Sequence, residues 1–247
     1  MQKVKVSVVS YLNSKPFIYG LENDRIIDEI DLQLDIPAIC AQKLTDGTVD
    51  LGLIPVAEIP KLKKSYIISD YCIGAEGKVA SVMLYSEVPL KEIRNVLLDH
   101  QSRTSVTLVR VLAKHFWKID PEWNKAEENY ESNISGTTAA VIIGDRTFGL
   151  EGKYKHTYDL AEEWQKFTGL PFVFACWVAN KELPEAFIRS FNNALRSGLE
   201  KRPELIKQIK ESNIYPTDVE TYLMKSISYE LGPDKKKGLE LFLSYLS

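Results

Sequence analysis

Three times within the first sixty residues a short apolar run meets a polar loop, and a proline stands where a helix can begin. Val4, Val6 and Val8 alternate with polar partners over 3–9, the period of a strand, and lead through the loop 10–15 to Pro16. LQLDI at 32–36 runs into Pro37, and DGTVDLGLIP at 46–55 carries a turn, a short strand and a third proline. Proline in the first helical turn gives up an N–H that would have had no partner there, so each of these prolines opens a helix. Phe17, Ile18 and Leu21 then follow at helical spacing, with Ser14 placed to cap. Strand, loop and helix repeated in that order predict an α/β chain with parallel strands.

A second series begins near Ala80. SVMLYS at 81–86 and the run 96–98 read as strands, and the loop DHQSRTS at 99–105 leads into a helix with Val106, Val109, Leu112, Ala113 and Phe116 on one face. AAVIIG at 139–144 reads as a buried strand after which Asp145 can cap a helix. DLAEEWQKFTG at 159–169 is predicted as a helix closed by Gly169, with Pro171 beyond it. From Glu182 onward the pattern is almost wholly helical.

Composition narrows the function classes. A 247-residue chain with 45% hydrophobic residues can pack a core, which excludes disorder as its main state. Its 31 Lys and Arg stand against 34 Asp and Glu, and a net charge of −3 offers no pull on a nucleic acid. The apolar stretch 171–179 is about half the ~18 residues of a membrane span. The opening MQKVKVSVVSYLNSKP lacks the roughly 7 to 15 consecutive apolar residues of a signal peptide, so the chain is expected in the cytoplasm. Cys40, Cys72 and Cys176 show no CxxC spacing and read as reduced core thiols. His100, His115 and His156 show no ligand spacing, and there is no GxGxxG; neither a metal nor a redox cofactor is expected.

In parallel sheets ligands bind at the carboxyl ends of the strands, so the loops that follow strands matter most. SYLNSK, the junction at Ile54 and Pro55, DHQSRTS and IIGDRT hold most of the Ser, Thr and Asn at predicted helix starts, where free N–H groups favour an anion. A small acidic ligand is expected. Asn13 can donate to and accept from a ligand hydroxyl, or form a turn before Ser14. Ser102, Arg103, Thr104 and Ser105 offer hydroxyls and a guanidinium at a helix start, as an anion site or merely as caps. Asp145 either faces the cleft or caps its helix; Tyr11, Phe174 and Trp177 either wall the cavity or fill the core. Lys235 to Lys237 read as a solvated helix face.

Six blocks in order carry a family resemblance: SYLNSKPFIYGL at 10–21, VDLGLIPVAEI at 49–59, SVMLYSEVPLKEI at 81–93, VLLDHQSRTSVTLVRVL at 96–112, AAVIIGDRTF at 139–148 and LAEEWQKFTGLPFVFACWVAN at 160–180. Together they resemble the chorismate dehydratase family of the futalosine route to menaquinone. The resemblance implies a two-lobed, periplasmic-binding-protein-like type II fold with an interlobe cleft and a helical C-terminal segment. Residues 1–85 plus 176–247 would form one lobe and 86–175 the other, joined near SVMLYS and FVFACWVA. It implies a hydro-lyase whose substrate is a small dicarboxylate, chorismate, with no cofactor and no metal. Asn13 and Ser81 are the implied catalytic residues; Ser10, Tyr11, Ser102, Arg103, Thr104, Ser105 and Asp145 are the implied substrate contacts.

Two other readings share the fold. One is a non-catalytic small-anion binding protein or sensor. The other is the sister 1,4-dihydroxy-6-naphthoate synthase, whose family opens with a block resembling SPCPNDTF where this chain has SYLNSKP. Among the cleft loops only His100, Asp99, Asp145 and Glu58 compete for the role of base, and each has a plainer explanation. The expected mechanism therefore uses the substrate's own enolpyruvyl carboxylate to take the proton.

Overall fold

The computed structural model describes residues 3–246, so Met1, Gln2 and Ser247, the ends of the expected first lobe, lie outside the described residues. The first sheet combines β1 (Val4–Val9), β2 (Ile30–Asp35), β3 (Leu51–Pro55), β4 (Tyr66–Ala75), β10 (Phe172–Ala179) and β11 (Ser228–Glu230), in the order β11-β4-β10-β3-β1-β2. The second combines β5 (Val82–Ser86), β6 (Asn95–Leu98), β7 (Glu122–Lys125), β8 (Thr138–Ile143) and β9 (His156–Asp159), in the order β7-β6-β8-β5-β9.

The alternating valines of β1 pair in parallel with β2, Val8 opposite Leu34, and with β3. Both sheets are nevertheless mixed, because β10 runs antiparallel to β3 and β4 and β5 runs antiparallel to β8 and β9. The reason is the crossing itself. A strand that enters from the other lobe arrives at the carboxyl edge of its new sheet and has to run back against its neighbours. The crossings also fall earlier than expected. Divisions at 85/86 and 175/176 would cut through β5 and β10, whereas β5 lies wholly in the second sheet and β10 in the first.

The helix α1 (Lys15–Glu22) carries Pro16 in its first turn, and α2 (Pro37–Thr45) starts at Pro37. Ser14 makes no side-chain cap; its hydroxyl donates to Asn13 Oδ1 at 3.0 Å instead. After Pro55 only a 3-10 stretch forms, Val56–Lys61, since Pro60 inside it removes a helical donor. The loop 99–105 leads into α3 (Thr104–Val111), which continues as a π-turn over Leu112–Trp117. Behind β8 the chain makes a 3-10 turn, Gly144–Thr147. The helix α4 (Leu160–Thr168) ends as predicted at Gly169, with φ +76°. Its cap Asp159 accepts from the N–H groups of Ala161 and Glu162, and also from Val79 at 2.9 Å and Ala80 at 2.7 Å. One carboxylate thus ties a helix start to the crossing segment, where Ala80 stands at φ +63°.

The tail consists of α5 (Glu185–Glu200), α6 (Arg202–Ser212), α7 (Val219–Thr221) with a π-turn Tyr222–Ser226, and α8 (Pro233–Ser244). The strand β11 interrupts the expected run of helix because it completes the edge beside β4. α1 and α5 meet backbone to backbone at Gly20 and Gly198; a Cβ on Gly198 would stand 2.0 Å from the Pro16 carbonyl oxygen. Lys235 is not on a solvated face. It is 3% exposed, and its ammonium donates to Glu76, Ser228 and the Glu230 carbonyl. Trp177 is likewise core, edge-on to Phe17 at 5.9 Å and Phe191 at 5.0 Å. Among the described residues no helix is long and apolar enough to cross a membrane.

Candidate functional site

The carboxyl ends of β1, β3 and β8, the start of β5, the start of α3 and the middle of β10 converge on one cleft, whose atom-free space of about 560 Å³ includes its open mouth. Val9, Leu53, Pro55, Ile73, Val79 and Phe174 give it apolar walls. The polar lining is Tyr11, Asn13, Ser14, Ser81, Ser102, Arg103, Thr104 and Ser105. Ser10 and Asp145, implied as substrate contacts, are not among the lining residues. Ser10 is exposed, and its backbone N–H is bonded to the Asp35 carbonyl. Asp145 turns to the loop after β1 and accepts from the Leu12 N–H at 3.1 and 3.2 Å. Burial pushes the Asp145 carboxyl up, opposed by that N–H and by Lys15.

Each remaining residue has a definable hydrogen-bonding capacity. Thr104 has no proton left to donate: its hydroxyl donates to the Phe174 carbonyl at 3.0 Å and accepts from the Ala57 N–H at 3.3 Å, joining the second sheet's helix to the first sheet. Ser102 accepts from the Ser105 N–H at 3.1 Å, a local cap that leaves its own proton to donate. Ser105 is buried and lines the cavity. Arg103 is exposed at the mouth, where its Nη1 donates to the His100 and Ser102 carbonyls at 3.3 Å.

Tyr11 reaches across the cleft, its phenol donating to Gln101 Oε1. Burial, then Asp99, pushes its ionisation up. Its ring lies against Gly144, whose φ of +64° and bare Cα together permit that approach. Behind this contact Asp99, fully buried, pairs with Arg146 and accepts from the N–H groups of Gln101 and Ile143. Glu58 pairs with Lys61. Asp99, His100, Glu58 and Asp145 are all absent from the lining.

Asn13 and Ser81, 68 positions apart by their numbers, line the same cavity. Ser81 is 1% exposed and accepts from the Tyr222 phenol at 2.7 Å. Tyr229 donates to the Asn13 carbonyl at 2.9 Å. Both tyrosines come from the tail, where the family resemblance matched only in helical character. No local signal in TDVETYLMKSISYEL marks them, because their partners lie over a hundred residues away.

Two lobes, each a mixed sheet flanked by helices, closing on a cavity at their carboxyl edges define a periplasmic-binding-protein-like protein. Solved structures agree. A protein of Archaeoglobus fulgidus aligns with a TM-score of 0.76 at 13% identity, covering 98% of this chain and 96% of that one. A Candida albicans protein described as having the generic periplasmic binding protein fold aligns at 0.62 and 12% identity, covering 99% and 91%. The family model described as menaquinone biosynthesis matches residues 4–247, and the chain belongs to that family. It is 27% identical over 232 residues to the chorismate dehydratase of Thermus thermophilus, covering 85% of this chain and 84% of the relative. To the chorismate dehydratase of Campylobacter jejuni it is 26% identical over 238 residues, covering 94% and 89%.

Proposed function

We propose that the chain eliminates water from chorismate to give 3-[(1-carboxyvinyl)oxy]benzoate. The proton leaves the ether-bearing ring carbon, hydroxide leaves its neighbour, and the electrons of the broken C–H bond become the new C=C bond of an aromatic ring. The atoms balance with one water released, and no electron carrier is needed.

The observation that carries this reading is the makeup of the cavity wall. Among the described residues its only ionisable side chains are Tyr11 and Arg103. A base is normally a histidine or a tuned carboxylate; Tyr11 holds its proton and Arg103 is a permanent cation. The enolpyruvyl carboxylate of chorismate fills the gap. It is tethered through the ether to the carbon that loses the proton, and such tethering reaches effective molarities of ~10⁵ M or more. Asn13 and Ser81 address the leaving hydroxyl, Ser102 and Ser105 hold a carboxylate, and Arg103 adds charge at the mouth. Tyr11 and Thr104 shape the closed cleft, and Ser10 and Asp145 have no direct contact with substrate. Family membership and the two relatives named chorismate dehydratase support the assignment. The buried, unpaired thiols of Cys40, Cys72 and Cys176 suit a reducing cytoplasm.

Incubation with chorismate should yield a benzoate ultraviolet spectrum and a product one water lighter. Chorismate bound and recovered unchanged would leave a small-anion binding protein. Alanine at His100, Asp99, Asp145 or Glu58, tested singly in folded protein, should retain turnover; a loss of ~10⁴-fold without loss of binding would reveal a protein base.

A further inference from the structure

Ser81 has one hydroxyl proton and two lone pairs, and the direction of that proton decides what the residue can do. The Tyr222 phenol occupies one lone pair from behind, at 2.7 Å, in a contact buried on both sides. Several interactions hold the phenol there. Its ring packs edge-on to Phe148 at 5.1 Å, its N–H donates to the Asp218 carbonyl, and the next residue's carbonyl accepts from Arg202 at 3.1 Å. Tyr222 also begins a π-turn, a local irregularity that ordinary helix propensity does not ask for. Burial keeps the phenol protonated, with Ser81 as its hydrogen-bonding partner.

We propose that Tyr222 is a positioning residue for the elimination: by donating to Ser81 Oγ it leaves the Ser81 proton directed into the cavity, toward an oxygen of the substrate. The inference rests on the proposed reaction at this site. The recipient is an oxygen with free lone pairs, the leaving hydroxyl or a carboxylate. Without the phenol the Ser81 hydroxyl rotates freely and spends part of its time turned away from the substrate. The C-terminal helices thereby acquire a role in the cleft, since they carry the group that orients one wall of it.

The test is a double-mutant cycle on chorismate turnover. Tyr222→Phe keeps the ring against Phe148 and should lower kcat ~10-fold with KM within about threefold of wild type. Introduced into Ser81→Ala, the same change should cost less than about twofold, because the proton it directs is gone. Equal losses in both backgrounds, or an unchanged kcat in Tyr222→Phe, would overturn the proposal. A second readout needs no turnover. With ring-¹³Cζ tyrosine, the resonance identified by its absence in Tyr222→Phe should move in Ser81→Ala; an unmoved resonance shows that the phenol is not bonded to Ser81. Should the wild type fail to convert chorismate, the parent reading falls, and the resonance still decides whether Tyr222 directs Ser81.

Discussion

Gly144→Ala is the sharpest perturbation of the cleft, because one methyl group makes two separable demands. Gly144 has φ +64°, and a Cβ there would stand 2.9, 3.0 and 3.2 Å from Cε2, Cδ2 and Cζ of Tyr11. Carbon atoms pack at about 3.5 Å or more, so the ring must retreat by about half an ångström. It cannot swing freely, since its phenol is tied to Gln101 and the next residue's N–H to Asp145. The left-handed backbone costs alanine ~1 to 2 kcal/mol. An off-rotamer Tyr11 costs a further ~0.5 to 1.5 kcal/mol, for a total of ~1.5 to 3.5 kcal/mol. Asn13 follows two residues later, and a misplacement approaching 1 Å at a reacting centre costs up to ~10²-fold in rate. Gly136→Ala is the matched control: φ is +53°, and nothing lies within 4 Å of its Cβ. Urea unfolding should therefore show a loss of ~1 to 2 kcal/mol at Gly136 and about 1 kcal/mol more at Gly144. Turnover of chorismate should fall ~10- to 100-fold only at Gly144. If the two variants have the same kinetics, Tyr11 is not held by this contact and the reasoning fails.

Thr104→Val should lower stability by ~1 to 3 kcal/mol, since it strands the Phe174 carbonyl and the Ala57 N–H, whereas Ser105→Ala should raise KM ~10-fold with stability little changed. A Ser105→Ala variant with wild-type KM would take Ser105 out of the ligand site. Gly198→Ala should cost ~3 kcal/mol or more in chemical unfolding, because its Cβ meets the Pro16 carbonyl, a backbone atom that cannot step aside; a loss below about 1 kcal/mol would show that α1 and α5 slide apart easily. The Asp159 carboxyl is pushed up to about 6 by burial, against the N–H bonds it accepts. The folded state then holds that proton more tightly than the unfolded one, whose value is ~3.9. Its contribution is present below about pH 4 and lost as pH rises to about 6, by ~3 kcal/mol. Stability measured from pH 4 to pH 6 should fall more steeply in the wild type than in Asp159→Asn, and parallel curves would refute the assignment.

What the sequence alone could determine about this chain is what short-range physics dictates. Alternating Val4, Val6 and Val8, prolines at 16 and 37, and Gly169 after DLAEEWQKFT act through neighbours a few residues away, and the strands and helices they predict are present. The order of strand and loop was also enough to place SYLN, DHQSRTS and IIGD at the carboxyl ends of their strands, because a strand's carboxyl end is known once its direction is known. Tertiary structure decided where individual side chains point. Thr104 and Ser105 are adjacent in one polar run, yet the Thr104 hydroxyl is bonded to Phe174 and Ala57 of the other lobe while the Ser105 N–H bonds locally to Ser102. Asp145 serves Leu12, Lys235 is buried against Glu76, and Ser81 is met by Tyr222 from 141 residues along the chain. A polar side chain takes whichever partner the fold brings within about 3 Å. That partner comes from another segment, so the pairing arises only when the two lobes and the C-terminal helices come together.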